Sequence, residues 1–426
     1  MRKGYLFKAV GAASALAMIT GLAACGSDTA STDNGGKVEI SFQTKNLKSG
    51  YESYFNDLIK AFEKDNPNIT VNWIDQPGES YANKLSTDAA SGSLPDVIDM
   101  MPKDAYTLAK AGVIENLSKS DSGAEKNYIP GAWKGITFKG QGVEEGAYGY
   151  PWYLTAGMML YNKAIMKECG VDPDNLPTDW DSYYSEGEQF AKQCGNKYSW
   201  NASLPTIGGF AEYGADVMNK DQTKFVFNGE KGVELVQHYV DLYKAGVFSK
   251  EAVSANGTQS SDLFKQNGVA TRFGFLYDLK DLKENAPEVY KNLGITASPA
   301  KHTPINMEVL AVSSTSKNKD AAMKFAAYAT NNENQVAFAK AAQIFPSSAN
   351  GTDDPFFSKD DGTIETKAIS MIAKSIKEGE VTDPPQFVQD DMTNLIEQLG
   401  LAITGQTTAQ KALDTVVETA NQRLAQ

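Results

Sequence analysis

The chain has 426 residues, of which 41% are hydrophobic and 22% are charged, and its formal net charge is −13. This length is too great for one hydrophobic core and sufficient for two lobes of ordinary domain size. The acidic balance argues against nucleic acid or an anionic lipid surface as partner and favours solubility.

The N-terminus has the pattern of a secretory signal. Arg2, Lys3 and Lys8 precede or flank an apolar run of about sixteen residues that ends in small residues. A transmembrane helix, the alternative, needs roughly 20 strongly apolar residues, whereas this run is rich in Ala, Gly, Ser and Thr. We therefore predict a signal peptide over 1–24. The segment 25–36 follows as a flexible tether, because it is polar and has no aromatic residue.

The segment Leu-Ala-Ala-Cys ending at Cys25 resembles the lipobox of bacterial lipoproteins. The resemblance implies that Cys25 is lipidated and becomes the first residue of the mature chain. Two or more acyl chains hold a protein stably to a bilayer, whereas one chain does so only marginally. We expect a soluble body anchored by lipid at the extracellular face of a bacterial cell membrane.

Strand and helix patterns alternate after the tether. "KVEISF", "NITVNWI" and "PDVIDMM" predict strands, and "YESYFNDLIKAFEK", "YANKLSTDAASG" and "AYTLAKAG" predict helices. This βαβ spacing predicts an α/β fold with a mostly parallel sheet and helices on both of its faces. Ligands of such sheets bind at the carboxyl ends of the strands.

The middle of the chain, from about Pro151 to Thr296, has a different pattern. "PWYLTAGMMLYN" combines aromatic residues with one strand pattern, and Pro177 with an N-cap at Thr178 opens a helix over "PTDWDSYYSEGEQFAKQC". "GVELVQHYVDLYKAG" predicts another helix. The final quarter has four helical patterns: "NKDAAMKFAAYATNN", "ENQVAFAKAA", "TKAISMIAKSIKEG" and "TAQKALDTVVETANQRLAQ".

The cysteines indicate a disulfide that would stabilise the fold, whereas the histidines do not indicate a metal site. Cys169 and Cys194 each precede a glycine at a predicted helix end. This pair favours a disulfide in an exported protein, with two buried free thiols as the alternative. His238 and His302 lack the spacing of a zinc site, so no transition-metal site is predicted. "DDPFFSKDDGTIE" does not fit the ligand spacing of an EF-hand and favours a solvated loop, which leaves calcium binding open.

Motifs of common hydrolases do not occur in the sequence. It has no Gly-x-Ser-x-Gly and no His-Glu-x-x-His, and the glycine cluster "GQGVEEGAYG" lacks the Lys-Ser/Thr of a phosphate loop and favours a turn. A glycosidase needs only two carboxylates about 5–10 Å apart, which 53 acidic residues could supply. We predict no catalytic residue and no cofactor, and a surface carbohydrate-active enzyme is the alternative.

Several aromatic residues lie beside turns and predicted strand ends. A flat ring offers a neutral sugar an apolar face, while amides and carboxylates bond the sugar hydroxyls. Large aromatic residues also dominate protein cores, so core packing is the alternative for each of them. The residues are Tyr51, Trp152, Tyr153, Trp200, Phe275 and Tyr277.

Seven segments occur in the order typical of the extracellular solute-binding proteins of ABC transporters. From about Lys37 to its end the chain resembles their oligosaccharide-binding group, which includes maltose-binding protein. The segments are "LIKAFEKDNPNITV", "LPDVIDMMPKDAYTLAKAGVIENL", "YGYPWYLTAGMMLYNKAIMKECG", "PTDWDSYYSEGEQFAK", "FKQNGVATRFGF", "VLAVSSTSKNKDAAMKFAAYATNNENQVAFAKAAQIFPSS" and "TGQTTAQKALDTVVETANQRL".

The resemblance implies a two-lobed α/β fold of the periplasmic-binding-protein type (type II), in which each lobe is a sheet flanked by helices and a hinge joins them. Lobe 1 is expected over 37–149 and about 303–345. Lobe 2 is expected over 150–302 and about 346–426, including the C-terminal helices. A sugar would close the cleft between the lobes.

The resemblance also implies a ligand site, with Trp152 and Phe275 as stacking platforms and Asp104 and Glu308 as hydroxyl acceptors. The sequence departs from many relatives at Phe273-Gly274-Phe275, where they carry Gly-Pro-Trp, and at Met100, where a tryptophan is common. The identity of the sugar therefore cannot be carried over. With Tyr51 from the aromatic set, the predicted ligand-binding residues are Gln43, Lys45, Tyr51, Met100, Lys103, Asp104, Trp152, Tyr153, Thr155, Phe275, Tyr277, Glu308, Gln389 and Met392.

These observations predict a monomeric, lipid-anchored protein that captures an oligosaccharide and delivers it to the permease subunits of an ABC importer. A ligand that contacts both lobes would shift the population toward the closed state. A polyamine on the same scaffold is the alternative, and it would need several convergent carboxylates with aromatic faces. An adhesin would show repeats or β-rich modules, which the sequence lacks.

Overall fold

The structure is a computed structural model that describes residues 36–254 and 257–425. The predicted signal peptide, Cys25 and the tether up to residue 35 lie outside the described residues. The strands are β1 (Val38–Lys45), β2 (Ile69–Gln76), β3 (Val97–Met100), β4 (Thr137–Gly140), β5 (Val143–Ala147), β6 (Tyr150–Ala156), β7 (Met158–Asn162), β8 (Thr271–Gly274), β9 (Leu293–Ala297), β10 (Ile305–Val312) and β11 (Phe345–Pro346).

Helices cover most of the remaining described chain. They are α1 (Lys48–Asp65), α2 (Tyr81–Ser91), α3 (Pro102–Lys110), α4 (Leu117–Ser120), α5 (Pro130–Gly135), α6 (Lys163–Glu168), α7 (Trp180–Cys194), α8 (Ile207–Tyr213), α9 (Glu230–Lys244), α10 (Gly257–Lys265), α11 (Leu276–Asn285), α12 (Pro287–Lys291), α13 (Lys319–Ala329), α14 (Asn332–Ala342), α15 (Ile364–Ser375), α16 (Gln389–Ile403) and α17 (Ala409–Leu424). None of them is long and apolar enough to cross a membrane.

The larger sheet has six strands in the order β11-β6-β10-β3-β1-β2. Strand β1 runs parallel to β2 and β3, whereas β10 and β11 run antiparallel to their neighbours. The α/β class is as predicted, but the prediction of a mostly parallel sheet is wrong for this half. The reason is that β10 returns from the second sheet and enters between β3 and β6 in the opposite direction.

The second sheet has three antiparallel strands in the order β8-β7-β9, and β4 pairs with β5 in a separate hairpin. The segment predicted as one strand is two strands, because the chain leaves the first sheet at Gly157 and continues as β7 in the second. Strand β6, which follows the predicted boundary between 149 and 150, pairs with β10 in the first sheet. The chain returns over 298–304 and crosses again between β11 and α15, which packs against β9.

The core of the first sheet is built on aromatic rings. Trp152 of β6 stacks on Phe338 of α14, with ring centroids 5.5 Å apart and planes 17° apart, and contacts Phe42 and Phe55 edge-on. All four rings are buried. Rings of this size dominate core energetics, so this cluster fixes how α1 and α14 pack on the sheet.

The disulfide pairing that the sequence favours is present in the structure. Cys169, which caps α6, and Cys194, the last residue of α7, are bonded with their Cα atoms 5.4 Å apart. The N-cap of α7 differs from the prediction. Asp179, not Thr178, accepts a hydrogen bond from the Ser182 N–H, and the capping box begins one residue later than expected.

Candidate ligand site

A group of polar side chains gathers where β1 ends, on the first sheet. We call it the Lys45 cluster. Its strand residues come from β6, β10, β3 and β1, which are four consecutive strands of the sheet. Its members are Gln43, Lys45, Tyr81, Asp99, Asp104, Tyr153 and Glu308.

Lys45 joins the cluster through both its side chain and its backbone. Its Nζ lies 2.7 Å from Oε1 of Glu308, and its backbone N–H donates to Oδ2 of Asp99 at 3.1 Å. The side chains of Lys45 and Glu308 are 25% and 13% exposed, so both reach the surface of the site. Asp99 has no exposed surface and lies behind them.

Three buried polar atoms of the cluster have no hydrogen-bond partner among the described residues. They are Nε2 of Gln43, Oδ1 of Asp99 and Oε2 of Glu308. Buried polar groups are almost always paired in folded proteins, and an unpaired one costs about 1–3 kcal/mol. The cluster is therefore incomplete as a hydrogen-bonding network, which is expected of a site that receives a polar ligand, water or a proton.

The titration of the cluster follows from its burial and its charges. Burial, and then the Glu308 carboxylate, raise the pKa of Asp99 well above its ordinary value. Burial also raises the pKa of Glu308, against the opposing effect of Lys45. For Lys45, burial alone would lower the pKa, but the carboxylates of Glu308, Asp99 and Asp104 outweigh it and raise the pKa.

Strand β6 extends the site along one of its faces. Side chains alternate between the two faces of a strand, so Tyr153 and Thr155 share a face. Tyr153 lies opposite Glu308 in the ladder, and Thr155 lies opposite Asn306. Burial, followed by the nearby Asp99 and Glu308 charges, raises the pKa of Tyr153. Tyr153 is therefore the residue that β6 contributes to the Lys45 cluster.

Trp152 occupies the other face of β6, and the expectation that it stacks on a ligand does not hold in this structure. Its ring has no exposed surface and is enclosed by the aromatic core. Met100 is likewise fully buried in β3, whereas the following Met101 is 43% exposed. For Trp152 the predicted segment is at the site, but the strand directs its neighbour Tyr153 toward the cluster.

Phe275 and Tyr277 form an aromatic pair in the segment that follows β8. Their ring centroids are 5.4 Å apart with planes 15° apart, and Tyr277 is 66% exposed. The pair lines a cavity of about 100 Å³ together with Thr155 of β6 and with Gln343 to Phe345, which precede and begin β11. Residues of both sheets thus meet at this cavity, and Thr155 joins it to the Tyr153 side of the Lys45 cluster.

The remaining predicted residues lie at varying distances from this strip. Lys103 is exposed at the start of α3. Burial raises the pKa of Asp104, and the positive charge of Lys103 opposes part of this rise. Tyr51 packs edge-on against Phe338. Gln389 is exposed and Met392 packs against the core on α16. No contact between these two and the strip is found in the described residues.

A second, larger cavity of about 590 Å³ contains none of the predicted residues. It lies between the N-terminus of α7, the end of α8 and the crossing segments 299–302 and 380–382. Trp180 donates through Nε1 to the carbonyl of Glu212 at 2.9 Å. Burial, and then the carboxylate of Asp383, raise the pKa of Glu212 to about 7. The carboxylates that line this cavity are Asp179, Asp181, Glu212 and Glu380.

The hairpin β4–β5 makes a contact between the two halves of the molecule. Gln141 at its tip donates through Nε2 to the carbonyl of Thr223 at 3.0 Å. The hairpin packs on α3 and α4 beside the first sheet. The segment of Thr223 continues to Phe225, whose backbone N–H donates to Oδ1 of Asn421 in α17 and whose carbonyl accepts from Nδ2 of Asn421.

The comparison with known proteins identifies the family. Residues 48–336, more than half of the chain, match the family described as bacterial extracellular solute-binding protein. The chain belongs to this family. The resemblance drawn from the seven sequence segments is therefore confirmed.

Relatives within this family carry sugar ligands in their names. The chain is 23% identical to a galactooligosaccharide-binding protein of Bacillus subtilis, over 94% of this chain and 93% of that protein. It is 31% identical to a maltooligosaccharide ABC transporter solute-binding lipoprotein of Streptococcus pneumoniae, over 47% of this chain and 46% of that protein.

A solved structure of the cyclic alpha-maltosyl-1,6-maltose binding protein from Arthrobacter globiformis has the same fold. It superposes with a TM-score of 0.75 at 17% identity, covering 91% of this chain and 99% of that one. At this identity the likeness shows the fold alone. The predicted two-lobed periplasmic-binding-protein-like fold is confirmed.

Tyr81 and Asp99 are site residues that the sequence did not predict. Asp99 could have been found, because it is a lone acidic residue inside the apolar strand pattern "PDVIDMM". Tyr81 begins α2, and its hydroxyl donates to the carbonyl of Asp99. Only the packing of α2 on the sheet brings it to the cluster, so the sequence held no signal for it.

Proposed function

We propose that this protein binds a neutral oligosaccharide along the strip that runs from the Lys45 cluster over Tyr153 and Thr155 to the Phe275–Tyr277 pair. The strip supplies carboxylates, an ammonium and an amide for hydroxyl groups, and stacked rings for the apolar face of a sugar. Membership of the solute-binding family and the sugar ligands named for its relatives support this proposal.

One observation carries the proposal furthest. Tyr153 of the polar cluster and Thr155 share one face of β6, and Thr155 lines the cavity that the half-buried Phe275 and the exposed Tyr277 share with residues near β11. A ligand seated there touches residues of both halves of the molecule. Such a ligand stabilises the arrangement in which the halves meet.

We further infer that the protein has no catalytic activity of its own. Retaining and inverting glycosidases place two reachable carboxylates about 5–10 Å apart around the scissile bond. In the Lys45 cluster both Asp99 and Glu308 are engaged by Lys45, and Asp99 has no exposed surface. Asp99 is therefore too deeply buried to flank a glycosidic bond.

The experiment is a calorimetric and thermal-shift screen over neutral malto-, galacto- and chito-oligosaccharides. We expect at least one series to bind with a 1:1 stoichiometry, and product analysis after long incubation should show the sugar unchanged. No binding in any series would contradict the sugar proposal, and a shortened product would contradict the absence of catalysis.

The wider role proposed here is delivery of the sugar to the permease subunits of an ABC importer by a monomer held at the extracellular face of the cell membrane through Cys25. The lobes would be those of the sheets: the six-stranded sheet with 37–156 and about 303–346, and the three-stranded sheet with the remaining chain to 425. Rotation between them would report occupancy to the permease.

A polyamine is the second candidate ligand, because the 590 Å³ cavity has the chemistry that an amine needs. Four carboxylates and the rings of Trp180 and Tyr213 line it, although Lys231 and Lys301 offset part of the charge. Calorimetry with spermidine decides. Binding that is lost in Glu212→Gln and Trp180→Ala but kept in Phe275→Ala would establish an amine site, and the absence of binding would remove this candidate.

A further inference from the structure

Asp99 and Glu308 are diagonal neighbours on adjacent strands. Asp99 lies opposite Leu310 in the β3–β10 ladder. Glu308 is two residues before Leu310, so the two carboxyl groups project from the same face of the sheet. The oxygens of the two carboxyl groups that have no hydrogen-bond partner in the described residues are Oδ1 of Asp99 and Oε2 of Glu308.

The other oxygen of each carboxyl group is already engaged by Lys45. Oδ2 of Asp99 accepts from its backbone N–H, and Oε1 of Glu308 accepts from its Nζ. Ionised carboxylates accept hydrogen bonds and cannot donate them. A single proton between the two remaining oxygens turns two unsatisfied acceptors into one hydrogen bond.

We propose that Asp99 is protonated in the folded protein and donates a hydrogen bond to Glu308, so that Asp99 acts as a positioning residue for the Lys45–Glu308 pair. The part of this inference in which the Lys45–Glu308 pair contacts ligand rests on the proposed function. Asp99 itself has no exposed surface and does not touch the ligand.

The charges around the pair agree with one bound proton. With that proton, Asp99 and Glu308 together carry one negative charge, which Lys45 balances, and Asp104 stands beside Lys103. The strip is then nearly neutral, so an uncharged sugar unit fits it better than one that carries an ammonium or a carboxylate. The ionisable groups that face Asp99 are Lys45 from β1, Tyr81 from α2, Asp104 with Lys103 from α3, Tyr153 from β6 and Glu308 from β10.

The direction of the pKa values supports the proton and fixes the sign of its effect. Burial raises the pKa of both carboxyl groups in the folded state, whereas in the unfolded chain they titrate near pH 4. From about pH 4 up to the pKa of the folded pair, the folded state holds one more proton than the unfolded state. Stability must therefore fall as pH rises through this window.

The first experiment needs no ligand and follows urea unfolding between pH 4.5 and 8.5. Asp99→Asn retains a donor for Glu308 without a titrating proton, and the exposed Asp57→Asn on α1 is the matched control. As pH rises, the unfolding constants of the wild type and of Asp57→Asn should increase more steeply than that of Asp99→Asn, by up to tenfold per pH unit. In an infrared difference spectrum of wild type minus Asp99→Asn at pH 7, a protonated carboxyl band should remain, because the contribution of Glu212, whose pKa is also raised to about 7, is common to both proteins and cancels.

The second experiment measures binding of the tightest ligand found in the oligosaccharide screen. Asp99→Asn should bind within about threefold of wild type, whereas Asp99→Ala, which leaves Oε2 of Glu308 without a donor, should bind about tenfold more weakly or worse. Rescue by the amide separates hydrogen-bond positioning from simple filling of space.

Three results would overturn the inference: equal pH slopes for wild type and Asp99→Asn, no protonated carboxyl band in the infrared difference spectrum at pH 7, or equal loss of binding in Asp99→Asn and Asp99→Ala. If no oligosaccharide binds, the proposed function fails while the ligand-free measurements still decide whether Asp99 holds the proton.

Discussion

Trp152 and Tyr153 are adjacent in the chain and have opposite environments. The sequence identified their segment as part of the site, because aromatic residues gather there. It could not supply the phase of the strand, which decides which of two neighbours faces the ligand. Met100 and Met101 are likewise adjacent in the chain, but Met100 is buried and Met101 is 43% exposed. Lys45 and Glu308, predicted separately, lie 2.7 Å apart only because β10 enters the sheet near β1.

This difference in environment predicts opposite phenotypes for aromatic substitutions. Phe275→Ala and Tyr277→Ala should each weaken sugar binding about tenfold, because a stacked ring contributes about 1 kcal/mol beyond its area, and should leave stability nearly unchanged. Trp152→Ala should lower the free energy of unfolding by about 3–5 kcal/mol, because it empties a core position. Calorimetry and urea unfolding separate the two effects. A Trp152→Ala protein that is stable but no longer binds sugar would show that Trp152 contacts the ligand after all.

At the scale of elements, the alternating patterns of the first hundred residues gave β1 to β3 and α1 to α3 in the right order. Most helices of the final quarter were also predicted, since their apolar spacing is regular. What the sequence could not give is the pairing: β6 and β7 read as one strand because both are apolar, and only their partners assign them to different sheets.

The disulfide between the ends of α6 and α7 should stabilise the fold by about 3 kcal/mol, because it closes a loop of 25 residues in the unfolded chain. The double variant Cys169→Ser with Cys194→Ser should lose about that amount in urea unfolding. Intact mass after alkylation of the unreduced protein gives an independent check, and two alkylated thiols there would disprove the bond.

Gly131 on α5 lies against the segment that follows α15. A Cβ at this position would be 1.7 Å from the carbonyl oxygen of Gly379, which is backbone and cannot rotate away. We expect Gly131→Ala to cost about 1–3 kcal/mol or more in unfolding free energy. Gly123→Ala is the control, because nothing lies within 4 Å of its Cβ position. Equal stability of the two variants would mean that α5 shifts freely.

At the scale of the whole molecule, the Gln141–Thr223 contact joins the hairpin beside the first sheet to the helices of the second half. Gln141→Ala removes one hydrogen bond, worth about 0.5–1.5 kcal/mol. If this contact holds the liganded arrangement together, the variant should bind sugar about two- to tenfold more weakly, through faster dissociation. Gln422→Ala, whose hydrogen bond stays within α17, should dissociate like wild type in stopped-flow measurements.

The predicted lipid anchor is tested on the full chain in its bacterial host. Cys25→Ser removes the thiol that lipidation requires and should leave the protein unprocessed or release it from the membrane fraction. Cell fractionation with immunoblotting measures both. Normal size and unchanged membrane retention of the variant would contradict the lipoprotein prediction.

The position of β10 between β3 and β6 has a consequence for biosynthesis. The strands on either side of it are complete by residue 156, but β10 itself begins at Ile305. During synthesis and export, the six-stranded sheet therefore exists as two unjoined parts until nearly three-quarters of the chain has emerged. A nascent chain in this state exposes strand edges that are paired in the complete fold. We therefore expect it to be exported by a route that keeps it unfolded and to be bound by chaperones.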